Sequence, residues 1–313
     1  MTTVTPIIRI GTRGSRLALH QAEWVRAKLL AIWPGLKVEL IPIKTSGDKL
    51  LEVSLAKVGG KGLFVKEIEE ALLTGRADLA VHSVKDLPAE LAPGLVLAAV
   101  PEREDPRDVL ISRSGETLAK LPSGAQVGTS SLRRQALLLH QRPDLRIELF
   151  RGNVETRLRK LSEGLVDATV LAMAGLKRLG IKPERAQILD ETDFIPAIGQ
   201  GALGIEVRKD DKIQDLVLPL DHPESAVAVR AERAFLQHLA ASCQVPIAAR
   251  GKVHNGNVYL VGLIISPDGQ QWVKGEREGP AEEARQIGAT LAAELLQRGG
   301  REILEEIGLK ADG

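Results

Sequence analysis

Three strand-to-helix junctions in the sequence carry residue types that bind anions. They are Thr12-Arg13-Gly14-Ser15, Thr129-Ser130-Ser131-Leu132-Arg133-Arg134, and Arg151-Gly152-Asn153 followed by Thr156 and Arg157. The unpaired amides and the dipole at a helix N-terminus favour anions, and arginine adds two-pronged pairing with carboxylate or phosphate. Ordinary helix capping is enough to explain any one such junction. Three in one chain favour a ligand with several negative groups.

Two further residues could take part in chemistry directly. Asp86 ends the run His82-Ser83-Val84-Lys85-Asp86, at the carboxyl end of a predicted core strand. A carboxylate there could transfer protons or stabilise a developing cation, although a surface aspartate paired with Lys85 is the alternative. Cys243 is the only cysteine, and a single cysteine taken alone is more often a small buried hydrophobic residue than a nucleophile.

Two glycine-rich motifs suggest nucleotide sites that their surroundings exclude. Gly59-Gly60-Lys61-Gly62 lacks the G-x-x-x-x-G-K-[ST] order of a phosphate loop. The run from Gly199 to Gly204 matches G-x-G-x-x-G, but Pro196 precedes it and a strand-like segment follows it, where a dinucleotide site needs a helix. We therefore interpret this run as a crossover between domains. No Cys/His cluster has zinc-ligand spacing, and no nucleophile elbow is present, so we predict neither a metal site nor acyl transfer.

Length and composition indicate a soluble globular protein of two or three domains. The chain has 313 residues, of which 44% are hydrophobic and 27% charged. Its formal charge of +1 provides no overall field for nucleic acid or an anionic membrane, so we expect neither partner. The first six residues lack the features of an export signal, and no apolar run is long enough to span a membrane. These features predict a cytoplasmic protein.

The pattern of apolar residues indicates an α/β fold followed by a smaller α+β domain. Over the first two-thirds, short apolar runs alternate with helical patterns, which predicts largely parallel strands. Residues 45–62 lack periodicity and are interpreted as a loop. After about residue 220, Asn255-Gly256 and Pro267-Asp268-Gly269 predict two hairpin turns, and a helix is predicted over 281–297.

Taken together, the motifs resemble the porphobilinogen deaminase family, also called hydroxymethylbilane synthases. In chain order, the matching segments are 9–13, 57–64, 80–86, 102–108, 128–134, 151–154, 174–179, 199–202 and Cys243-Gln244-Val245-Pro246-Ile247. Each motif is weak alone, but the series covers almost the whole chain and is highly specific. One departure is Ala241-Ser242, which stands where many relatives have glycines.

The resemblance implies a fold of three domains, in which two domains like type II periplasmic binding proteins surround a cleft and a small C-terminal α+β domain has an antiparallel sheet. The expected boundaries are 1–101 with 199–219, 102–198, and 220–313. It also implies a dipyrromethane cofactor, attached through a thioether to Cys243. Four porphobilinogen molecules would each lose ammonia and join head to tail on this primer, and hydrolysis would release hydroxymethylbilane. A monomer is implied, and its product would pass to uroporphyrinogen-III synthase.

The resemblance also assigns roles to individual residues. Asp86 would be the catalytic residue, donating and accepting protons and stabilising the cationic pyrrole. Besides Cys243, the expected cofactor-binding residues are Ser83, Lys85, Thr129, Ser130, Ser131, Arg133, Arg134, Gly152 and Asn153. The expected residues for substrate and growing chain are Arg13, Ser15, Lys61, Phe64, Arg151, Arg157, Arg178 and Gln200. For Phe64, a role in the core is an equally good interpretation.

Two other classes of protein compete with this interpretation. A non-catalytic anion-binding protein of the periplasmic type would share the anion-binding junctions, but the chain has no export signal and carries both Asp86 and Cys243. A transcriptional effector-binding domain has less support, because no helix-turn-helix segment or basic stripe is present.

The role of Cys243 can be tested by mass spectrometry of the denatured protein. The wild-type chain should carry the added mass of a covalent pyrrole adduct, and Cys243→Ser should lose both this mass and essentially all activity. The same added mass on the variant would rule out Cys243 as the point of attachment, and an unmodified wild-type protein would favour a pure binding module.

Overall fold

The structure is a computed structural model that describes residues 7–49, 65–239 and 245–308. The chain divides into two compact units. The first comprises Met1–Arg103 and Ala202–Ala226, and the second comprises Glu104–Gly201 and Val227–Gly313. Each unit is built around its own buried apolar clusters.

The first unit contains, in its described part, a five-stranded sheet with the order β2-β1-β3-β10-β4. Its strands are β1 (Ile7–Arg13), β2 (Lys37–Ile43), β3 (Leu79–Ser83), β4 (Leu95–Ala99) and β10 (Leu203–Arg208). Its helices are α1 (Arg16–Ile32), α2 (Ser46–Lys49), α3 (Lys66–Leu73) and α7 (Ile213–Val217). Ala22, Val25 and Leu29 of α1 recur at helical spacing and are fully buried in the core that covers one face of the sheet.

The second unit repeats this topology in a sheet with the order β7-β6-β8-β5-β9. Its strands are β5 (Asp108–Ser112), β6 (Gln126–Gly128), β7 (Arg146–Glu148), β8 (Ala168–Ala172) and β9 (Ala186–Ile188). Its helices are α4 (Leu132–Gln141), α5 (Val154–Ser162) and α6 (Met173–Arg178). In both sheets the fourth strand of the order is antiparallel to its two neighbours.

Four of the five strands in each sheet run in the same direction, which confirms the expectation of largely parallel strands, and β10 and β5 are the exceptions. β10 runs antiparallel to β3 and β4, and β5 runs antiparallel to β8 and β9. Both strands are almost entirely buried, and β5 contains the apolar run Val109-Leu110-Ile111. Such a run shows that a strand is covered on both faces, but it carries no information about strand direction.

The C-terminal sheet is antiparallel, as predicted, with the order β11-β12-β13. Its elements are α8 (Pro223–His238), β11 (Ile247–His254), β12 (Asn257–Ile265), β13 (Trp272–Pro280), α9 (Ala284–Leu295) and α10 (Arg301–Glu306). Both predicted hairpin turns are present. The mixed α/β sheets and this small antiparallel sheet confirm the predicted fold class.

The C-terminal sheet shares a core with the second α/β sheet. Ala248, Leu263 and Ile265 belong to the same buried cluster as Val127 and Leu137. This common core explains why both sheets fall into one compact unit. The division into three domains stays a prediction.

A buried ion network joins α4 to β5 inside the second unit. Asp108, the first residue of β5, is fully buried, and its Oδ2 lies 2.7 Å from an Arg133 Nη atom. Its Oδ1 accepts hydrogen bonds from Arg134, at 2.7 and 3.1 Å, and from Gln200 Nε2 at 3.0 Å. Arg133 also donates to the Ile195 carbonyl at 2.7 Å. One carboxylate thus holds two consecutive arginines of the helix.

This network determines the ionisation of Asp108. Burial alone would raise the pKa of its carboxyl, but the positive charges of Arg133 and Arg134 outweigh burial and lower the pKa to about 2 from an ordinary 3.8. A carboxyl whose pKa is lower in the folded state stabilises that state above the unfolded pKa, and the stabilisation is lost as the pH falls towards the folded pKa. The shift corresponds to about 2 kcal/mol at neutral pH.

Substitution of two turn glycines should measure how tightly the C-terminal sheet packs on α4. Gly269 has φ +74°, and a Cβ there would lie 2.5 Å from both Ala136 O and His140 N of α4. Gly256, in the other turn of the sheet, has φ +79°, and a Cβ there would have no neighbouring atom within 4 Å. In both alanine variants, strain in the left-handed backbone should lower the free energy of unfolding by about 1–2 kcal/mol. In Gly269→Ala, steric overlap of the new Cβ with α4 should lower it by about 1–3 kcal/mol more. Urea unfolding measures both, and equal losses would contradict this packing.

Removal of the Asp108 carboxylate should destabilise the second unit and reduce the loss of its free energy of unfolding at acidic pH. Asp108→Asn leaves two buried arginines without their anion, which we expect to cost about 3–5 kcal/mol at neutral pH. From this carboxyl, the wild type should lose about 1 kcal/mol between about pH 5 and about pH 3, and the variant should not. Urea unfolding across this range provides the measurement.

Asp144→Asn is the matched control for this experiment. It removes the carboxylate of the Arg142–Asp144 ion pair on the surface and should leave the free energy of unfolding at neutral pH nearly unchanged. A loss at Asp108→Asn no larger than this control would show that the network contributes little.

Candidate active site

The first unit contains a polar recess at the carboxyl ends of β1 and β3. We call it the recess, and it is lined by Arg13, Ser15, Leu17, Ala18, Gln21, Val65, Val81, His82, Ser83 and Asp86. It forms where parallel strands end and the following helix begins, the position at which open α/β sheets bind ligands. Ser15 is the N-cap of α1, and its hydroxyl accepts a hydrogen bond from the Ala18 amide at 3.3 Å.

Asp86 ends a short 3₁₀ turn, Val84–Asp86, that directly follows β3. Its side chain is exposed at the recess. No hydrogen bond or ion pair of Asp86 occurs with any residue that the structure describes, including Lys85. The surface pairing with Lys85, considered above as the alternative, is therefore not seen. A carboxylate in this setting is available to a ligand.

Two buried polar side chains support the floor of the recess. Gln21, on the inner face of α1, donates from Nε2 to Ser83 Oγ at 3.0 Å and is only 3% exposed. His82 Nε2 lies 2.9 Å from Glu206 Oε2 on β10. Neither Gln21 nor Glu206 was among the predicted site residues. A polar residue among the apolar positions of α1, and an acid within the apolar run of β10, are signals that could have identified them.

In the second unit, small polar residues form the junctions before α4 and α5. Ser131 caps α4 and accepts from the Arg134 amide at 3.4 Å, and Thr129 Oγ1 accepts from the Ser131 amide at 3.2 Å. Ser130 donates to the Phe150 carbonyl at 2.7 Å. Asn153 caps α5, accepting from the Thr156 amide at 2.8 Å. Both junctions therefore use capping, and this occupies part of their donor and acceptor capacity.

In the junction before α5, the backbone conformation requires glycine at position 152. Gly152 has φ +123°, and a Cβ there would lie 2.6 Å from Thr156 Cγ2. The Gly152 carbonyl accepts a hydrogen bond from Arg157 Nε at 2.9 Å. Glycine at this position thus allows the backbone just before α5 to accept a hydrogen bond from an arginine of that helix.

Three guanidinium groups, Arg134, Arg151 and Arg157, lie near one another and form what we call the arginine cluster. Burial, together with the positive charges of Arg134 and Arg151, lowers the pKa of Arg157 to about 10. Arg157 is partly buried, and no carboxylate pairs with it in the described part of the chain. Like charges held together in a partly buried site are unfavourable unless an anion joins them.

Arg178 and Gln200 belong to the same unit. Burial lowers the pKa of Arg178 to about 10, although the charge of Glu104 opposes this shift, and an Nη atom donates to the Gly201 carbonyl at 2.8 Å. Gln200, 1% exposed, donates to the Pro106 carbonyl as well as to Asp108. Gln200 is thus partly engaged in the buried ion network.

Arg133, which the sequence assigns to cofactor binding, belongs to the buried ion network. Its guanidinium is buried against Asp108, the Ile195 carbonyl and the ring of Phe194, whose centroid lies 5.8 Å away. Asp108 could not be identified from the sequence, because an acidic residue at the beginning of an apolar run is typical of an ordinary strand end. Of the other predicted site residues, Cys243, Lys61 and Phe64 lie outside the described residues.

The described part of the chain contains neither a candidate metal site nor a helix suited to cross a membrane. No group of three or more His, Cys, Asp or Glu side chains suited to a metal ion occurs within 7–49, 65–239 and 245–308. None of the helices in these segments has the length and apolar character needed to cross a membrane.

Solved structures that this chain resembles include two binding proteins, which are distant likenesses. An ancestral cationic amino acid solute binding protein is 18% identical, with a TM-score of 0.40 over 68% of this chain and 87% of that one. A probable amino-acid ABC transporter extracellular-binding protein from Bacillus subtilis is 12% identical, with a TM-score of 0.43 over 68% and 89%. Likenesses of this size carry no functional information.

Sequence comparison is far more specific. Residues 8–215 match the family model described as porphobilinogen deaminase, dipyromethane cofactor binding domain, and residues 226–297 match the model of the porphobilinogen deaminase C-terminal domain. A porphobilinogen deaminase of Syntrophobacter fumaroxidans is 54% identical over 96% of this chain and 98% of that protein. One of Syntrophotalea carbinolica is 56% identical over 95% of each. With family models and relatives that cover nearly all of its length, this chain belongs to the porphobilinogen deaminase family.

Proposed function

We propose that this chain is a hydroxymethylbilane synthase that joins four porphobilinogen molecules head to tail and releases one ammonia for each. The observation that carries the proposal beyond family membership is Arg157, partly buried, repelled by Arg134 and Arg151, and paired with no carboxylate in the described part of the chain. Each pyrrole unit of the substrate and product bears two carboxylates. A ligand of this kind would neutralise the arginine cluster.

The cluster favours carboxylate groups over a single compact anion. Guanidinium groups pair with carboxylates through two parallel hydrogen bonds, and several arginines at different helix termini can each take a different carboxylate. Arg134 belongs to α4 and Arg157 to α5, while Arg151 precedes α5. A chain of pyrrole units spaces its carboxylates along its length, which suits arginines distributed over several elements.

The donor set fits a dipyrromethane cofactor. Arg134, Ser131 and Asn153 would hold its carboxylates in the second unit, together with Arg157, which the sequence assigns to the growing chain, and Cys243 would carry its thioether. When bound, the dipyrromethane supplies the pyrrole carbon to which the first substrate is joined. Arg133 supports this site through Asp108, because the ion network fixes the first turn of α4 from which Arg134 extends.

Asp86 carries out the proton chemistry in this proposal. Loss of ammonia leaves positive charge on the substrate pyrrole, and an exposed carboxylate at the recess can stabilise that charge on the ring nitrogen. The same carboxylate can accept the proton that the ring loses when the new carbon–carbon bond forms. Arg13 and Lys85, close to Asp86 in the same unit, would bind the carboxylates of the incoming substrate.

The enzyme acts as a monomer in the cytoplasm, where a reducing environment keeps the thiol of Cys243 available for attachment. Its linear product passes to uroporphyrinogen-III synthase. The chain comprises three domains, and Cys243 in the C-terminal one carries the cofactor.

Replacement of Asp86 separates binding from chemistry. Asp86→Asn keeps the size of the side chain but removes its charge and its ability to transfer a proton. General acid–base action contributes about 10²–10⁴-fold, so ammonia release from porphobilinogen should become nearly undetectable while the cofactor remains attached. Asp86→Glu should retain a small residual activity. Both variants receive preassembled cofactor, and its covalent loading is confirmed by mass before ammonia release is measured.

Asp215→Asn provides the matched control, because Asp215 lies exposed on α7 in the same unit, away from the recess. It should keep the wild-type rate. If loaded Asp86→Asn also works within a few-fold of the wild type, Asp86 is a surface residue and the proposed mechanism is wrong.

A further inference from the structure

Lys160 of α5 is a half-buried cation that the mechanism above does not use. Its Nζ atom donates to the Arg151 carbonyl at 3.2 Å and lies 5.8 Å from the centroid of the Phe150 ring. Among the residues that the structure describes, no carboxylate forms an ion pair with it. The acid at the end of the helix, Glu163, pairs instead with Arg159. Lys160 thus directs its ammonium to the backbone just before the helix.

Two cations on one face of α5 hold consecutive carbonyl groups of the preceding junction. Arg157 Nε donates to the Gly152 carbonyl at 2.9 Å. Lys160 Nζ donates to the carbonyl of the residue before it, Arg151. Residues three apart in a helix lie on the same face and point towards its N-terminus, which explains how both side chains reach the chain before the helix. The backbone of this junction is therefore held by the helix that follows it.

The Phe150 ring limits the positions that the Lys160 ammonium can take. This ring is buried and packs so closely on β6 that a Cβ at Gly128 would lie 2.5 Å from Phe150 Cγ. The Phe150 carbonyl accepts a hydrogen bond from Ser130 at 2.7 Å, which fixes the backbone at this residue. A lysine ammonium is attracted to the face of an aromatic ring. Lys160 thus links an immobilised ring to the carbonyl of the next residue, Arg151.

We propose that Lys160 is a positioning residue that fixes the Arg151 carbonyl and thereby keeps the Arg151 guanidinium in the arginine cluster. Arg151 precedes α5, so the hydrogen bonds of the helix do not fix its backbone. A guanidinium that is already in place loses less conformational freedom when a carboxylate binds. The inference rests on the proposed function for the identity of the ligand, a chain of pyrrole units that bear carboxylates.

Replacement of Lys160 should weaken binding more than chemistry. Lys160→Met removes the ammonium and keeps an unbranched side chain of similar length against Phe150. Each variant receives preassembled cofactor, and ammonia release from porphobilinogen is measured per loaded enzyme. We expect KM to rise about tenfold, with kcat changed less than about threefold. Lys160→Arg can still donate to the Arg151 carbonyl and should stay within about threefold of the wild type. An unchanged KM in Lys160→Met, or no recovery in Lys160→Arg, would overturn the inference.

A double-mutant cycle tests whether Lys160 acts through Arg151. Arg151→Met alone should lower kcat/KM about 10–100-fold, because it removes a charge-assisted hydrogen bond to a ligand carboxylate. If Lys160 only positions Arg151, adding Lys160→Met to this variant should lower kcat/KM further by less than about twofold. A further loss of about tenfold would show that the two residues act independently, and the assignment of Lys160 as a positioning residue would be wrong.

Hydrogen exchange of the Thr156 amide reports on the same junction without turnover. This amide donates to Asn153 Oδ1 at 2.8 Å, and Asn153 caps α5 two residues after Arg151. In cofactor-loaded Lys160→Met, the amide should exchange about tenfold faster than in the wild type, because the junction is held less firmly. Equal exchange rates would contradict the inference. A wild-type protein that releases no ammonia would overturn the proposed function, while the exchange rates would still decide whether Lys160 holds the junction.

Arg159→Met is the matched control. Arg159 is next to Lys160 in α5, but it is exposed and pairs with Glu163. This variant also removes one positive charge from the helix, without touching the junction, so KM and the exchange rate of the Thr156 amide should stay within about twofold of the wild type. Equal changes in Arg159→Met and Lys160→Met would show that the charge of the helix, rather than the contact with the Arg151 carbonyl, determines binding, and would overturn the inference.

Discussion

The second unit depends on the carboxylate of Asp108. Its two oxygens hold Arg133 and Arg134 at the first turn of α4, and the same carboxylate receives a hydrogen bond from Gln200. One negative charge therefore fixes two positive ones, and the remaining positive charge is not cancelled within the network. A buried site with this imbalance is stable only if a further anion, or water, compensates it.

The excess positive charge connects the fold to the chemistry. Arg134 belongs both to the Asp108 network and to the arginine cluster, where its charge helps to lower the pKa of Arg157. The first unit differs in having an exposed carboxylate, Asp86, at its recess, and this carboxylate suits a cation. An enzyme that handles pyrroles bearing carboxylates and an amine needs both kinds of site. The two units thus provide complementary electrostatic environments.

Much of this arrangement could be predicted from the sequence, for identifiable physical reasons. The junctions at Ser15, Ser131 and Asn153 were found because capping residues and arginines lie next to one another in the chain. Asp108 and Glu206 were missed because their partners are distant in sequence and because an acid in an apolar run gives no periodic signal. Strand direction in β10 could not be predicted either, since a fully buried strand has the same pattern in both directions.

The excess of positive charge in the arginine cluster is the central claim, and Arg157→Gln tests it most directly. The free energy of unfolding is measured for wild type and variant, each produced with and without attached dipyrromethane. Without the cofactor, the variant should be at least as stable as the wild type, because repulsion from Arg134 and Arg151 is relieved. With it, the variant should gain less stability than the wild type. A less stable cofactor-free variant that gains as much on loading would contradict the account.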